Sequence, residues 1–276
     1  MMSEHFSNLT YDNAGQKMGD CDGPAFCVYS HKGYSRASMD VLLSRLRLCT
    51  RRRSDGLPLT AYIFLGVDSF DDRDVFVNCF DAGLAYDNDR CRWVLFYNVL
   101  RTVPPHEKWY TSAVCLEDTH DYRLVLDTSG EDGFAELTAY DLTLGGQKAD
   151  SVRFYTKDTR RDGSNTVYYQ NYAMDFPDYI KYTPDGRPSE DDWPQITLYN
   201  MDEGAYMKDL CICGCTLDGQ PWTAEMTRNR SVWPDRTMSW IDAPIVQVTC
   251  PARDMAWRID FVLDRRVAET EGEEQG

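Results

Sequence analysis

Residues 160–172, RRDGSNTVYYQNY, concentrate arginine, tyrosine and side-chain amides more densely than any other stretch of the chain. Arg160, Arg161, Asn165, Tyr168, Tyr169, Asn171 and Tyr172, with Gln170 among them, are the parts of a sugar site. Tyrosine faces stack on a sugar ring, and the planar polar groups exchange hydrogen bonds with its hydroxyls. The competing reading is a strand that buries two of the three tyrosines in YYQNY. Trp193, in EDDWPQ, and Trp222, in DGQPWT, sit in polar, loop-like surroundings and join the candidate set. Trp93 reads as core instead, because CRWVLFYNV is apolar on both faces.

A second group with chemical potential is Cys211, Cys213 and Cys215 in CICGC. On a regular strand these thiols share one face, with Leu210, Ile212, Gly214 and Thr216 on the other. Same-face neighbours stand roughly 6.5–7 Å apart, whereas tetrahedral zinc needs sulfurs about 3.8 Å apart. The four histidines, His5, His31, His106 and His120, all lie far from this run in sequence. The expected role is a core strand, since cysteine behaves as a small hydrophobe.

Carboxylates offer two further possibilities. Asp68, Asp71, Asp72 and Asp74 cluster in VDSFDDRD, and Asp87 and Asp89 flank Asn88. Calcium draws several such oxygens from one loop. Neither stretch has EF-hand spacing, so solvated loop charge is the plainer reading and no cofactor is expected. A carboxyl pair could instead cleave a glycoside. Asp81, Glu136, Asp141 and Glu225 lie in or near expected strands, but with 45 acidic residues the sequence does not select two of them. The chain lacks a G-x-S-x-G elbow, a Walker loop and a G-x-G-x-x-G turn. Catalytic residues stay unassigned, and whether the chain is an enzyme stays open.

The elements that would position these groups are strands. Short runs rich in Val, Ile, Leu, Tyr, Phe and Thr alternate with Gly, Asp, Asn and Pro turns. Strands are expected near 40–49, 60–67, 74–80, 91–99, 111–116, 122–127, 134–142, 151–156 and 165–170, then near 195–200, 206–216, 245–250 and 255–263. The 40–49 run is ambiguous: Met39, Leu42, Leu43 and Leu46 follow helical spacing, while Leu42, Leu46 and Leu48 fit a period of two. About a dozen strands imply an all-β, two-sheet antiparallel sandwich. A single domain over residues 1–265 and a disordered acidic tail over 266–276 are expected.

With 276 residues, 42% of them hydrophobic, the chain can bury a full core without disulfides. The net charge of −16 disfavours nucleic acid and anionic membranes, because phosphate binding relies on Lys and Arg. No run is long enough to span a bilayer, and MMSEHFSNLTYDNAG lacks the pattern of a secretory signal. A cytoplasmic protein with reduced thiols is expected.

The run YRLVLDTSGEDGFAELTAYDLTLGGQ (122–147) is similar to the back-to-back strands and Gly turn of laminin-G-like domains, and MAWRIDFVL (255–263) is similar to their closing strand. Over roughly residues 36–265 the chain thus resembles the concanavalin A-like lectin and glucanase superfamily. That resemblance implies a jelly roll whose concave sheet and end loops often bind glycans, in a superfamily of lectins, hydrolases and lyases. The E-x-D-x-E signature of its glucanases is absent, so no catalytic residue is carried over. The expectation is a protein that binds a saccharide or acts on it, as a hydrolase or lyase, in an aromatic-lined groove. The alternative is a non-catalytic interaction or assembly module with a protein partner or a second copy of itself.

Overall fold

The computed structural model describes residues 25–51, 56, 58–175, 204–233, 246–249 and 256–263. The expected strand at 195–200, Trp193 and the acidic tail lie outside the described residues. The strands in chain order are β1 (Ala25–Lys32), β2 (Arg36–Val41), β3 (Arg47–Cys49), β4 (Thr60–Phe70), β5 (Phe76–Asp87), β6 (Arg92–Val99), β7 (Trp109–Leu116) and β8 (Tyr122–Asp127). They continue as β9 (Phe134–Asp141), β10 (Gln147–Tyr155), β11 (Thr166–Asp175), β12 (Ala205–Leu217), β13 (Gln220–Pro221), β14 (Thr227–Trp233), β15 (Val246–Thr249) and β16 (Trp257–Leu263).

These form two antiparallel sheets packed as a sandwich. A seven-stranded sheet runs β14-β1-β11-β4-β5-β6-β7, and a nine-stranded sheet runs β10-β9-β8-β2-β12-β16-β15, with β3 and β13 paired onto β12. The core between them follows from period-two alternation. In β4, Ala61, Ile63, Leu65 and Val67 point inward and are fully buried, which turns Tyr62, Phe64, Gly66 and Asp68 outward. They meet Met39, Leu124, Leu126 and Leu137 of the opposite sheet in one continuous cluster. Phe154 of β10 joins the sheets most directly, stacking on Tyr97 at 4.4 Å and meeting Phe80 edge-on at 5.3 Å. Each such buried side chain contributes roughly 1.5–3 kcal/mol.

The ambiguous run around 40–49 resolves into β2, one 3-10 turn at Leu43–Arg45, and β3. Its helical spacing is thus satisfied for a single turn, which buries Leu43. Three strands escape the sequence pattern: β1, the two-residue β13, and β14. The last, TRNRSVW, has too few apolar residues to announce itself.

One expectation is corrected in β12. Cys211, Cys213 and Cys215 do not share a face, because the register with β2 shifts between Cys213 and Thr216. Gly214 takes φ +58° inside this bulge, where its missing Cβ leaves room for the Asp40 carboxylate. Cys211 and Cys213 therefore face outward and are half-buried, while Cys215 turns into the core at 5% exposure. Burial pushes the Cys215 thiol up to about 12, so it remains protonated and inert.

Candidate functional site

The two outer faces of the sandwich differ sharply. On the nine-stranded sheet many of the outward side chains are charged and paired with one another. Arg123 grips Asp40 in a fork at 2.6 and 2.8 Å, Lys148 lies 3.8 Å from Glu136, and Arg47 donates to Asp209 at 2.8 Å. Such a face is solvated and neutralises itself. The outer face of the seven-stranded sheet is aromatic and amide-rich instead.

Strand register assembles that face into one row. Asn229, Tyr29, Tyr169, Gly66, Asp81, Asn98 and Trp109 are successive cross-strand partners over β14, β1, β11, β4, β5, β6 and β7. With strands about 4.8 Å apart, the stretch from Tyr29 to Trp109 covers about 24 Å. Aromatic groups stand at both ends of it. Tyr29 packs on Tyr169 at 5.1 Å. At the far end stands Trp109, which meets a cluster of Tyr62, Phe64 and Phe96 lying two to four positions earlier along β4 and β6, with Tyr62 and Trp109 each 5.0–5.4 Å from Phe96. Trp109 is 43% exposed, a large ring open to solvent.

Asp81 and Asn98 lie between these aromatic ends. The Tyr169 ring lies across Gly66, where a Cβ would come within 2.0 Å of its Cζ, and its hydroxyl donates to Asp81 Oδ1. Glycine is therefore required at 66 by a close approach rather than by backbone conformation. Burial raises the Asp81 carboxyl from 3.8 to about 6, against the opposing hydrogen bond from Tyr169. The same desolvation, with the negative charge of Asp81 beside it, holds the Tyr169 hydroxyl well above its ordinary value. Tyr169 is thus a donor of hydrogen bonds and no base. Next to it on the same face of β11, Asn171 is 7% exposed, and its Oδ1 has no hydrogen-bond partner among the described residues. An unpaired buried acceptor costs about 1–3 kcal/mol, which a ligand hydroxyl would recover.

The residues singled out from sequence separate into three groups. Tyr169 and Asn171 reach the outer face. Tyr168, Tyr172 and Trp222 are at most 1% exposed within the core and have no ring face for a ligand. Alternation along β11 sends 168 and 172 inward as surely as it sends 169 and 171 outward. Trp222 donates its indole N–H to Thr227 Oγ1 at 3.1 Å. The third group shapes the loop ahead of β11. Asn165 is buried and ties that loop down, donating from Nδ2 to the carbonyls of Phe70 and Asp158. Arg160 pairs with Asp72 at 2.6 Å, and the backbone N–H of Arg161 donates to Asp132.

The acidic loop is also occupied internally. Asp71 accepts from the backbone N–H groups of Arg73 and Val75 and from the Arg73 guanidinium, and the Val75 bond leads in lowering its pKa. Asp74 pairs with Lys32. Among the described residues no group of His, Cys, Asp or Glu is arranged to hold a metal ion. No helix among them is long and apolar enough to cross a membrane.

Sequence reading missed Tyr29, Tyr62, Asn98 and Trp109. One signal was present: Gly66 and Gly83 interrupt two strongly apolar strands, and a glycine inside a strand marks a close approach.

No family model matches the chain, and no curated protein matches it. Among solved structures it is similar to Scytalido-glutamic peptidase, at 9% identity over 87% of this chain and 99% of that chain, with a TM-score of 0.45. It is similar to SCP-B, a member of the eqolisin family of peptidases, at 10% identity over the same shares and with a TM-score of 0.45. It is also similar to the enzymatically active domain of bacteriophage CBA120 tailspike protein 2, at 10% identity over 68% of this chain and 23% of that chain, with a TM-score of 0.31. At this level of likeness the function has to be argued from the residues of the site.

Proposed function

We propose that the outer face of the seven-stranded sheet binds a saccharide. The observation that carries this reading is the single cross-strand row in which Asp81 and Asn98 lie between the Tyr29–Tyr169 pair and the Trp109 cluster. Rings at both ends offer stacking surfaces, and the carboxyl and amides between them match the hydroxyls of a chain of sugars. A row of about 24 Å suits an oligosaccharide better than a single ring. The unpaired Asn171 acceptor supports the same reading. So does the pattern resemblance to concanavalin A-like sandwiches, whose concave sheet often binds glycans.

A thermal-shift screen against mono- and oligosaccharides tests this. A ligand at about 100 times its Kd adds roughly 2.7 kcal/mol of stability. At least one class of oligosaccharide is expected to raise the melting temperature, and Trp109→Ala should weaken its binding about tenfold, the loss of one stacking contact. A flat response across the panel would contradict the reading and leave a protein ligand for this face.

A further inference from the structure

Resting on that saccharide reading, we propose that the same face hydrolyses a glycosidic bond with inversion, Asp81 giving a proton to the leaving oxygen and Asp68 activating the attacking water. Both carboxylates are outward on adjacent strands. Asp81 lies opposite Gly66, and Asp68 lies opposite Cys79, so the two are diagonal neighbours on one face. Diagonal positions in an antiparallel pair are about 7–8 Å apart. Backbone positions that far apart are compatible with the roughly 6.5–9.5 Å between carboxyl groups that an inverting pair needs to admit a water, whereas the roughly 5–5.5 Å of a retaining pair would require the two side chains to lean together.

Their surroundings divide the roles. Asp81 carries the Tyr169 hydroxyl on Oδ1 and is shielded enough to keep its proton up to about pH 6. The ring seated on Gly66 places the Tyr169 hydroxyl on that carboxyl. Asn171, nine-tenths buried on the same face, presents an unpaired Oδ1 suited to a substrate hydroxyl. In the reaction the Asp81 proton passes to the glycosidic oxygen as the bond from the anomeric carbon to that oxygen breaks. Water adds to the anomeric carbon from the opposite side, and its proton passes to Asp68. Return of that proton to Asp81 through solvent closes the cycle, with water the only co-reactant. Burial and the Tyr169 hydroxyl on β11 set the ionisation of Asp81, and Asp68 on β4, Cys79 on β5 and Tyr29 on β1 bear in turn on Tyr169.

The test uses the whole chain, the oligosaccharides that raise its melting temperature, and a panel of 4-nitrophenyl and 2,4-dinitrophenyl glycosides. Hydrolysis is expected, with an inverted anomer as first product by NMR and a rate that falls as pH rises through about 6, where Asp81 loses its proton. Asp81→Asn should lower kcat about 10²–10⁴-fold on oligosaccharides. It should spare the dinitrophenyl glycosides, whose leaving group needs no proton. Asp68→Asn should lose activity on both, and both variants should still bind the sugar. A sugar that binds without being cleaved would overturn the catalytic inference and leave the binding reading standing. A retained anomer, or Asp68→Asn turning over at the parent rate, would overturn the role of Asp68. Absence of both binding and hydrolysis would overturn the two readings together.

Discussion

At the scale of single residues, Asp81 makes its own prediction about stability. Its carboxyl titrates near 6 when folded and near 3.8 when exposed, so between those values the folded chain holds a proton that the unfolded chain has released. The side chain therefore opposes folding fully above pH 6, and the opposition fades as pH falls toward 4. Asp81→Asn, a neutral shape-mimic, is expected to stabilise the protein at pH 7.5 by up to about 3 kcal/mol, less whatever water reaching the half-buried carboxyl already relieves. Denaturant melts of both proteins at pH 7.5 and pH 4 check this; an equal difference at both pH values would exclude the linkage. Tyr169→Phe removes the hydrogen bond that favours the charged carboxylate, so the Asp81 titration followed by NMR should move higher still. Little of this was legible in the sequence. Asp81 was one of several carboxylates in strands, and what singles it out is a tyrosine 88 positions away laid across a glycine on the strand between them.

At the scale of elements, alternation was the reliable guide and bulges were its failure. The apolar inner positions of β4, β8 and β9 follow period two and were readable directly. The same rule misplaced the thiols of β12, because the bulge at Gly214 moves Cys215 to the opposite face from Cys211 and Cys213. A thiol reagent should accordingly modify Cys211 and Cys213 in the folded protein and Cys215 only after unfolding; peptide mapping of the labelled chain decides this, and early labelling at 215 would contradict the placement. Gly66→Ala brings a methyl into the Tyr169 ring. A loss of about 1–3 kcal/mol is expected from that overpacking, together with an upward shift of the Asp81 titration as the Tyr169 hydroxyl is displaced. A variant as stable as the parent would show that the ring does not rest there.

At the scale of the whole molecule, the all-β sandwich was legible because turn residues and short apolar runs recur along most of the chain. The site was not, because it is a product of strand order: β1, β11, β4, β5, β6 and β7 bring together residues from 29 to 169 that no local pattern connects. Tyr168, Tyr172 and Trp222 carried the sugar reading in sequence, yet they build the core, while Trp109 and Tyr29 face outward. The two tryptophans should therefore respond oppositely to truncation. Trp222→Ala is expected to cost about 3–5 kcal/mol of stability, and Trp109→Ala little stability but most of the stacking with a ligand. The contrast between the faces, one carrying self-paired charge and one an aromatic row with Trp109 open to solvent, is what the proposed saccharide site rests on at this scale. The most direct measurement is an NMR titration of the indole N–H signals with an oligosaccharide chosen by the thermal-shift screen. The Trp109 signal should move with added sugar, while those of the buried Trp93 and Trp222 stay in place. A sugar that binds and leaves Trp109 unmoved would contradict the assignment of the site.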